Sequence, residues 1–325
     1  MPIALEEILA TAKVVSIPLK TKFRGVLVRE ALLFEGPMGW AEWSPFLEYQ
    51  DAEAAVWLAA AIEFASDELP PLYRDRIAIN ATLPAVSPAE VAGVLAEFGA
   101  FGTVKIKVAE PGQNLNHDLQ RIFKVRQLFP KAKIRLDANA GFDIRTAAML
   151  AYTMVENGVP LEYFEQPVAR LQDMASLKEQ LQRVGVKIAA DESVRKAQDP
   201  LAVAQAGAAD ILVIKAAPLG GIGRAAQVVD QAGLPAVISS ALETSVGISM
   251  GLHLAAALPD LPYACGLGTV ALLASDVVSE PLVAIDGFLP VKRVTPDAAK
   301  LQELAATPER TKWWLERLER CYRLL

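Results

Sequence analysis

A chain of 325 residues, 53% apolar and 22% charged, can bury a large core and form one big domain or two ordinary ones, and its composition is far from that of a disordered protein. The net charge of −6 comes without any Lys/Arg-rich run, which argues against a nucleic-acid binder or a protein drawn to an anionic membrane. Two distant cysteines, Cys265 and Cys321, and only two histidines, His117 and His253, exclude a disulfide framework and a Cys/His zinc site.

The first residues carry Glu6 and Glu7 where a signal peptide needs basic residues, and no apolar run reaches transmembrane length. A cytoplasmic enzyme is expected. Up to about residue 75, "KVVSIPL", "FRGVLVREALLFEG" and "GWAEWSPF" read as an antiparallel meander, followed by the helix "DAEAAVWLAAAIEFA". A rhythm then sets in. β-rich runs ("RIAINATL", "TVKIKVAE", "KIRLDANAGF", "LEYFEQPVAR", "VKIAADESV", "DILVIKAAP", "PAVISSALET" and, more weakly, "PYACGLGT") alternate with Ala/Leu/Gln-rich segments of helical spacing. Several of those helices open on Asp or Ser and close near Gly, as caps require.

Strand and helix alternating at this interval means parallel strands, and eight units in series predict a closed barrel rather than an open sheet. The last unit breaks the pattern: "PLVAIDGFLPV" looks extended and leads into a polar, helix-forming tail. The expected α/β architecture is therefore a barrel over residues 76–279, flanked by a smaller α+β domain from residues 1–75 with the tail 280–325 packed on it.

In "TVKIKVAE" the two lysines, Lys105 and Lys107, fall on one face of a strand and Val104, Ile106 and Val108 on the other. Like charges so close repel, and burial disfavours both. The neighbouring runs supply the reason. Toward their C-terminal ends they carry, in order, Asp137 with Asn139, Glu165, Asp191, Lys215, and Ser239 with Ser240, about 24 to 30 residues apart. Each successive strand thus brings one group to the same end of the barrel, where active sites of such barrels are built.

Taken singly, Asp137 could sit in a turn, Glu165 could pair with an arginine, Asp191 could cap a helix and Lys215 could snorkel from a strand end. Together they form a set. Three converging carboxylates need a counter-ion, and a hard dication such as Mg²⁺, for which Mn²⁺ can substitute, would leave open positions for a small carboxylate substrate. A lysine in such surroundings is pushed below its ordinary value of about 10.4 and can act as a general base. The chemistry that fits is proton abstraction α to a carboxylate, with the dication stabilising the resulting enediolate. His117 and His253 fall inside helical segments as structural or exposed residues, and Cys265 reads as a small buried apolar residue.

Lys-x-Lys at 105–107, "DAN" at 137–139, "EQP" at 165–167, "DES" at 191–193 and the lysine of "IKAAPLGG" at 215 make the chain resemble the enolase superfamily over nearly its whole length. The order of these elements is similar to the muconate-lactonising-enzyme subgroup. The resemblance implies a (β/α)7β TIM-like barrel with an α+β capping domain, Mg²⁺ ligands at Asp137, Glu165 and Asp191, acid/base chemistry at Lys107, and Lys215 on the opposite side of the substrate.

"KTKFRGV" at 20–26, "EWSPFLEY" at 42–49, "SSALETSVGI" at 239–248 and "CGLGTVALLASDVV" at 265–278 narrow the likeness to the o-succinylbenzoate synthase family, its short actinobacterial-type members in particular. That implies a carbon–oxygen lyase dehydrating 2-succinyl-6-hydroxy-2,4-cyclohexadiene-1-carboxylate in menaquinone biosynthesis. Ser239, Ser240 and Gly266 would contact a substrate carboxylate, Arg24 would close the site or read the succinyl group, Asn139 would orient its neighbours, and Lys105 would support Lys107 or touch the substrate carboxylate. The same catalytic set also serves N-acylamino acid racemases, dipeptide epimerases and muconate cycloisomerases. "CGLGTVA" lacks the Asp-x-Asp expected of a dipeptide epimerase. A non-catalytic barrel would show a gap in the lysine and ligand set, and there is none. The oligomeric state is not legible.

Overall fold

The computed structural model describes residues 3–23, 25–196 and 199–325. At the N-terminus, β1 (Lys13–Phe23), β2 (Val26–Gly36) and β3 (Gly39–Trp43) form the expected antiparallel meander. The β1–β2 ladder loses its register between Pro18 and Phe23, where proline has no N–H to give. The helix Asp51–Ser66 packs on β3, and the small side chains of Ala54, Ala55, Ala60, Ala61 and Ala65 let it lie close. Trp43 donates its indole N–H to the Ala54 carbonyl at 2.9 Å.

The chain then passes through β4 (Arg76–Ala78) into the barrel. β5 (Ala81–Leu83), β6 (Thr103–Lys107), β7 (Lys133–Asp137), β8 (Leu161–Glu165), β9 (Ile188–Ala190), β10 (Ile211–Ile214) and β11 (Ala236–Ile238) form one parallel sheet in sequence order. The eighth staves are two residues, Cys265 and Gly266. Cys265 bridges Ile79 and Gly266 bridges Ser239, both in parallel. The Cys265 N–H donates to Ala78 at 2.7 Å and the Gly266 N–H to Ile238 at 2.8 Å, which closes the barrel. A Cβ at Gly266 would lie 2.7 Å from the Ser239 hydroxyl, so a larger residue here would have to turn that hydroxyl aside.

One expected strand is two. "RIAINATL" breaks at Ile79–Asn80, because Arg76–Ala78 pairs antiparallel with β12 (Phe288–Pro290) outside the barrel. Asn80 turns its amide to the Ala81 carbonyl and the Thr82 hydroxyl. The tail behaves as its polarity suggests. Its helix Pro308–Tyr322 lies against the N-terminal unit, with Trp314 edge-on to Trp43 at 5.3 Å and Arg310 gripping Glu30. Among the described residues no helix is long and apolar enough to cross a membrane.

Inside the barrel, alternate residues of neighbouring strands share layers: Lys105, Arg135 and Tyr163 in one, Lys107, Asp137 and Glu165 in the next toward the C-terminal end. Buried Arg135 plugs the lower layer, bonded to Glu162 and Asn80 and lying 4.6 Å from the Tyr163 ring. The N-terminal unit is fixed over the upper end by Glu63, whose carboxylate accepts from the Gly223 N–H at 3.0 Å, at the start of the helix Ile222–Ala232.

This contact makes a contrasting prediction for adjacent glycines. Gly221 has φ +121°, and a Cβ there would run into the Glu63 carboxylate, whereas a Cβ at Gly223 would stand 3.8 Å from it. Gly221→Ala should cost about 2 kcal/mol or more in thermal unfolding, and Gly223→Ala should be neutral or stabilising by up to about 1 kcal/mol. Equal effects would contradict the contact.

Candidate active site

All five residues of β6 are buried, so Lys105 and Lys107 do not lie on a wetted edge. The Lys105 ammonium sits on both Glu165 oxygens, at 2.9 and 3.0 Å, and 3.0 Å from Asp137 Oδ2. Lys107 donates to Asp137 Oδ2 and to Asn139 Oδ1, each at 2.6 Å, and lies 5.3 Å from the Phe23 ring. Across the mouth, Lys215 reaches both oxygens of Asp191 at 2.5 Å. Parallel register produces this array: Lys107 pairs with Asp137 and Asp137 with Glu165 at successive strand ends.

Burial opposes charge on every member, and the partners decide the outcome. Despite burial, Asp137 and Glu165 hold the Lys105 ammonium well above the ordinary lysine range. Burial likewise disfavours the Asp137 anion, but Lys105 and Lys107 hold its carboxyl below the usual range. Asp191 is held low against burial by Lys215 and then Arg195. Glu165 goes the other way: burial, then the charge of Asp137, pushes it up to about 8. Lys215 is lowered, by burial first and by Arg195 in addition, against the pull of Asp191. The expectation that lysines here are pushed down thus fits Lys215 and fails for Lys105, which faces two carboxylates.

Among the described residues no group of three His, Cys, Asp or Glu side chains converges closely enough to hold a metal ion by itself. The ammonium groups lie between the carboxylates and take up their oxygens.

Lys105, Lys107, Asp137, Asn139, Asp191, Lys215, Ser239, Ser240 and Gly266 line one cavity of about 30 Å³ beneath Phe23 and Phe46. Glu165 lies under Lys105 and does not reach it. The cavity adjoins a cleft of about 940 Å³ that shares Phe23, Lys107 and Asn139 and runs beneath the β1–β2 turn. Ser240 is engaged with the Gly266 carbonyl and the Thr269 hydroxyl, both at 2.8 Å. Arg24 lies outside the described residues. Cys265 is fully buried, with its thiol pushed up to about 11 by burial. His117 belongs to a helix cap with Asn114, and His253 is buried beside Phe64.

Strained backbone gathers at this end: Ala109, Asn139, Ala140, Gln166 and Leu242, all with positive φ, follow β6, β7, β8 and β11. Sequence reasoning assigned no role to the side chains that hold these loops. Gln166 of "EQP" accepts from the N–H groups of Asp191 and Ser193, each at 3.1 Å, and so sets the "DES" segment. Buried Arg29 donates to the Ala241, Leu242 and Ser44 carbonyls and lies 4.6 Å from the Phe46 ring. Glu42 accepts from the N–H groups of Thr244 and Gly247 and from the hydroxyls of Thr244 and Ser44. Two side chains of the N-terminal unit therefore clasp the loop that follows Ser239 and Ser240. The only signal was a lone carboxylate in the buried run "GWAEW".

The profile "Enolase N-terminal domain-like" matches residues 14–65 and "Enolase C-terminal domain-like" matches residues 88–297. An o-succinylbenzoate synthase of Mycobacterium tuberculosis (strain ATCC 25618 / H37Rv) is 51% identical over 321 residues, covering 99% of this chain and 96% of the relative. That of Mycobacterium ulcerans (strain Agy99) is 50% identical over 324 residues, 100% and 97% of the two chains. The chain belongs to the o-succinylbenzoate synthase family of the enolase superfamily.

Solved structures agree on the fold. Muconate lactonizing enzyme from Pseudomonas fluorescens aligns with a TM-score of 0.77 at 21% identity, over 91% of this chain and 98% of that one. The L-Ala-D/L-Glu epimerase from Bacillus subtilis aligns with a TM-score of 0.74 at 22% identity, over 88% and 96%. The barrel with its capping domain is thus the superfamily's architecture, with the eighth strand reduced to two residues.

The clasp has a measurable electrostatic consequence. Burial and the nearby Glu243 push Glu42 up to about 7, against its hydrogen bonds and Arg29. Between the unfolded value and about pH 7 the folded chain then binds more protons than the unfolded one, so the contribution falls as pH rises across that window and is level above it. Glu42→Gln, able to accept at its oxygen and donate to Ser44, should lack this slope. Urea unfolding from pH 5 to 8 should show the wild type losing about 2 kcal/mol relative to the variant between pH 5 and 7. Parallel profiles would contradict it.

Proposed function

We propose that this chain is an o-succinylbenzoate synthase, removing water in the syn sense from 2-succinyl-6-hydroxy-2,4-cyclohexadiene-1-carboxylate to give o-succinylbenzoate for menaquinone biosynthesis. The observation that carries this reading is half identity with named o-succinylbenzoate synthases along essentially the full length of both chains. The epimerase and muconate-lactonising likenesses, at 21 to 22% identity, support the fold alone. A capping unit from residues 1–75 and 280–325 over a barrel that ends at about residue 279 and whose first strand is Ala81–Leu83 rather than a strand from residue 76, in a cytoplasmic enzyme with both cysteines free, belongs to the same proposal.

Lys107 and Lys215 line one cavity from different strands, which supports opposed roles for them. Lys107, as the neutral amine, takes the proton α to the substrate carboxylate. The ammonium so formed then protonates the departing hydroxyl on the same face, so one C–H and one C–O bond break and water leaves. Lys215, bound to Asp191, is the cation on the far side of the ring. Lys105, kept charged by Glu165 and Asp137, holds those carboxylates in place and sharpens the field at Lys107. Asn139 orients the Lys107 amine. Ser239, Ser240 and the backbone at Gly266 form the wall that receives the substrate's polar groups, and Arg24 closes the site or reads the succinyl group.

Asp137, Glu165 and Asp191 would hold a Mg²⁺ ion, for which Mn²⁺ can substitute. They are hard oxygen donors, and the repulsion from Asp137 that helps push Glu165 up to about 8 is what a dication relieves. When bound, the ion supplies a Lewis acid that stabilises the negative charge proton loss places on the substrate carboxylate.

A continuous absorbance assay with the cyclohexadiene substrate tests the reading. Loss of the diene should require Mg²⁺ and should fall by about 10³-fold or more in Lys107→Ala and in Lys215→Ala. No turnover by the wild type would reject the reaction, and near-normal turnover by either variant would reject that lysine's role.

A further inference from the structure

Tyr49, Arg195 and Glu192 perform none of the chemistry above, yet they bind the catalytic groups to the N-terminal unit. The three nitrogens of the Arg195 guanidinium serve three partners: Nε donates to Asp191 Oδ1 at 3.0 Å, Nη1 to the Tyr49 hydroxyl at 3.0 Å, and Nη2 to Glu192 Oε1 at 2.7 Å. Glu192 Oε1 also accepts from Asn139 Nδ2 at 3.1 Å, and Asn139 Oδ1 accepts from Lys107. Asp191 in turn carries Lys215. One hydrogen-bonded path therefore runs from Tyr49 to both catalytic lysines.

The far end of the path is closely packed. The Tyr49 ring is edge-on to Phe46 at 5.6 Å and to Trp57 at 5.9 Å, and its carbonyl accepts from Arg317 of the tail helix at 2.6 Å. Its hydroxyl is thus placed by packing within the N-terminal unit and against the tail helix, with the Lys196 ammonium of the barrel 5.0 Å from the ring. Arg195, a planar fork with fixed donor directions, carries that position to Asp191; a lysine's single rotatable ammonium could not. Among the described residues, Asp191 Oδ1 is bonded by Arg195 and Lys215, while Oδ2 is bonded by Lys215 alone.

We infer that Arg195, anchored by the Tyr49 hydroxyl, is a positioning residue that orients Asp191 for the dication, so that seating of the N-terminal unit and cation affinity are linked. This rests on reading Asp191 as a Mg²⁺ ligand. A purely structural staple between the two units would change thermal stability and leave cation affinity as it was. Partners that orient a ligating carboxylate change the affinity itself, by about 10- to 100-fold when removed.

Calorimetric titration of the full chain with MgCl₂, without substrate, separates these cases. Arg195→Met should weaken Mg²⁺ binding about 10- to 100-fold. Tyr49→Phe removes one hydroxyl from an otherwise unchanged ring and should weaken it about fivefold. The double variant should bind no more weakly than Arg195→Met, because the hydroxyl acts through the guanidinium. Wild-type affinity in Tyr49→Phe, or additive losses in the double variant, would overturn the inference while leaving the proposed reaction intact. Tyr49→Phe decides the matter even where Arg195→Met fails to fold. Absence of Mg²⁺ binding by the wild type would instead remove Asp191's role as a ligand, and this inference with it.

Discussion

Everything at the mouth of this barrel depends on balancing buried charge. Asp137, Glu165 and Asp191 are buried at or just beyond the ends of successive strands, because parallel pairing with alternating side chains leaves them no other face. Such a cluster is unstable unless cations stand within a few ångströms. Lys105, Lys107 and Lys215 provide them, and the uneven sharing is itself informative. Lys105 serves two carboxylates and is held charged, while Glu165, next to Asp137, is pushed up to about 8. Three carboxylates brought to one end of the barrel are the hard oxygen donors that the proposed dication would take.

A charged interior also needs a floor and a roof. Arg135 with Glu162 and Asn80 forms the floor, a buried polar layer that keeps the strands in register below the reacting groups. The roof is the N-terminal unit, which reaches the barrel through polar contacts as well as through apolar packing: Glu63 on a helix start, Arg29 and Glu42 on the loop after β11, and Tyr49 on Arg195. Buried hydrogen bonds of this kind contribute modest stability but impose one geometry, since each unmet partner is costly. The loops at the mouth of the barrel are thereby held by side chains of the N-terminal unit.

The periodic features were open to sequence reading. Strand and helix recurred at a regular interval, and polar residues broke otherwise apolar runs at the same point in each unit, which is how the lysines and carboxylates could be placed before any coordinates. What escaped was long-range. The run "RIAINATL" gave no sign that its first half pairs with Phe288–Pro290, some two hundred residues later. Nothing near Arg29 or Arg195 in sequence announces Leu242 or Tyr49 as a partner, because such contacts are made by tertiary packing and carry no local period. The two lysines of "TVKIK" posed the question of who neutralises them. Only the fold shows that Lys105 divides itself between two strands while Lys107 reaches an asparagine in left-handed backbone.

The central proposal is that the three strand-end carboxylates would hold a dication between Lys107 and Lys215. Crystals grown with Mn²⁺ and o-succinylbenzoate, with the metal located by its anomalous scattering, test it most directly. The account predicts one site with oxygens of Asp137, Glu165 and Asp191 all within about 2.5 Å of the ion, and Lys107 and Lys215 on opposite faces of the product ring. A manganese ion bound elsewhere, or held by only one of the three while the lysines keep the others, would contradict it.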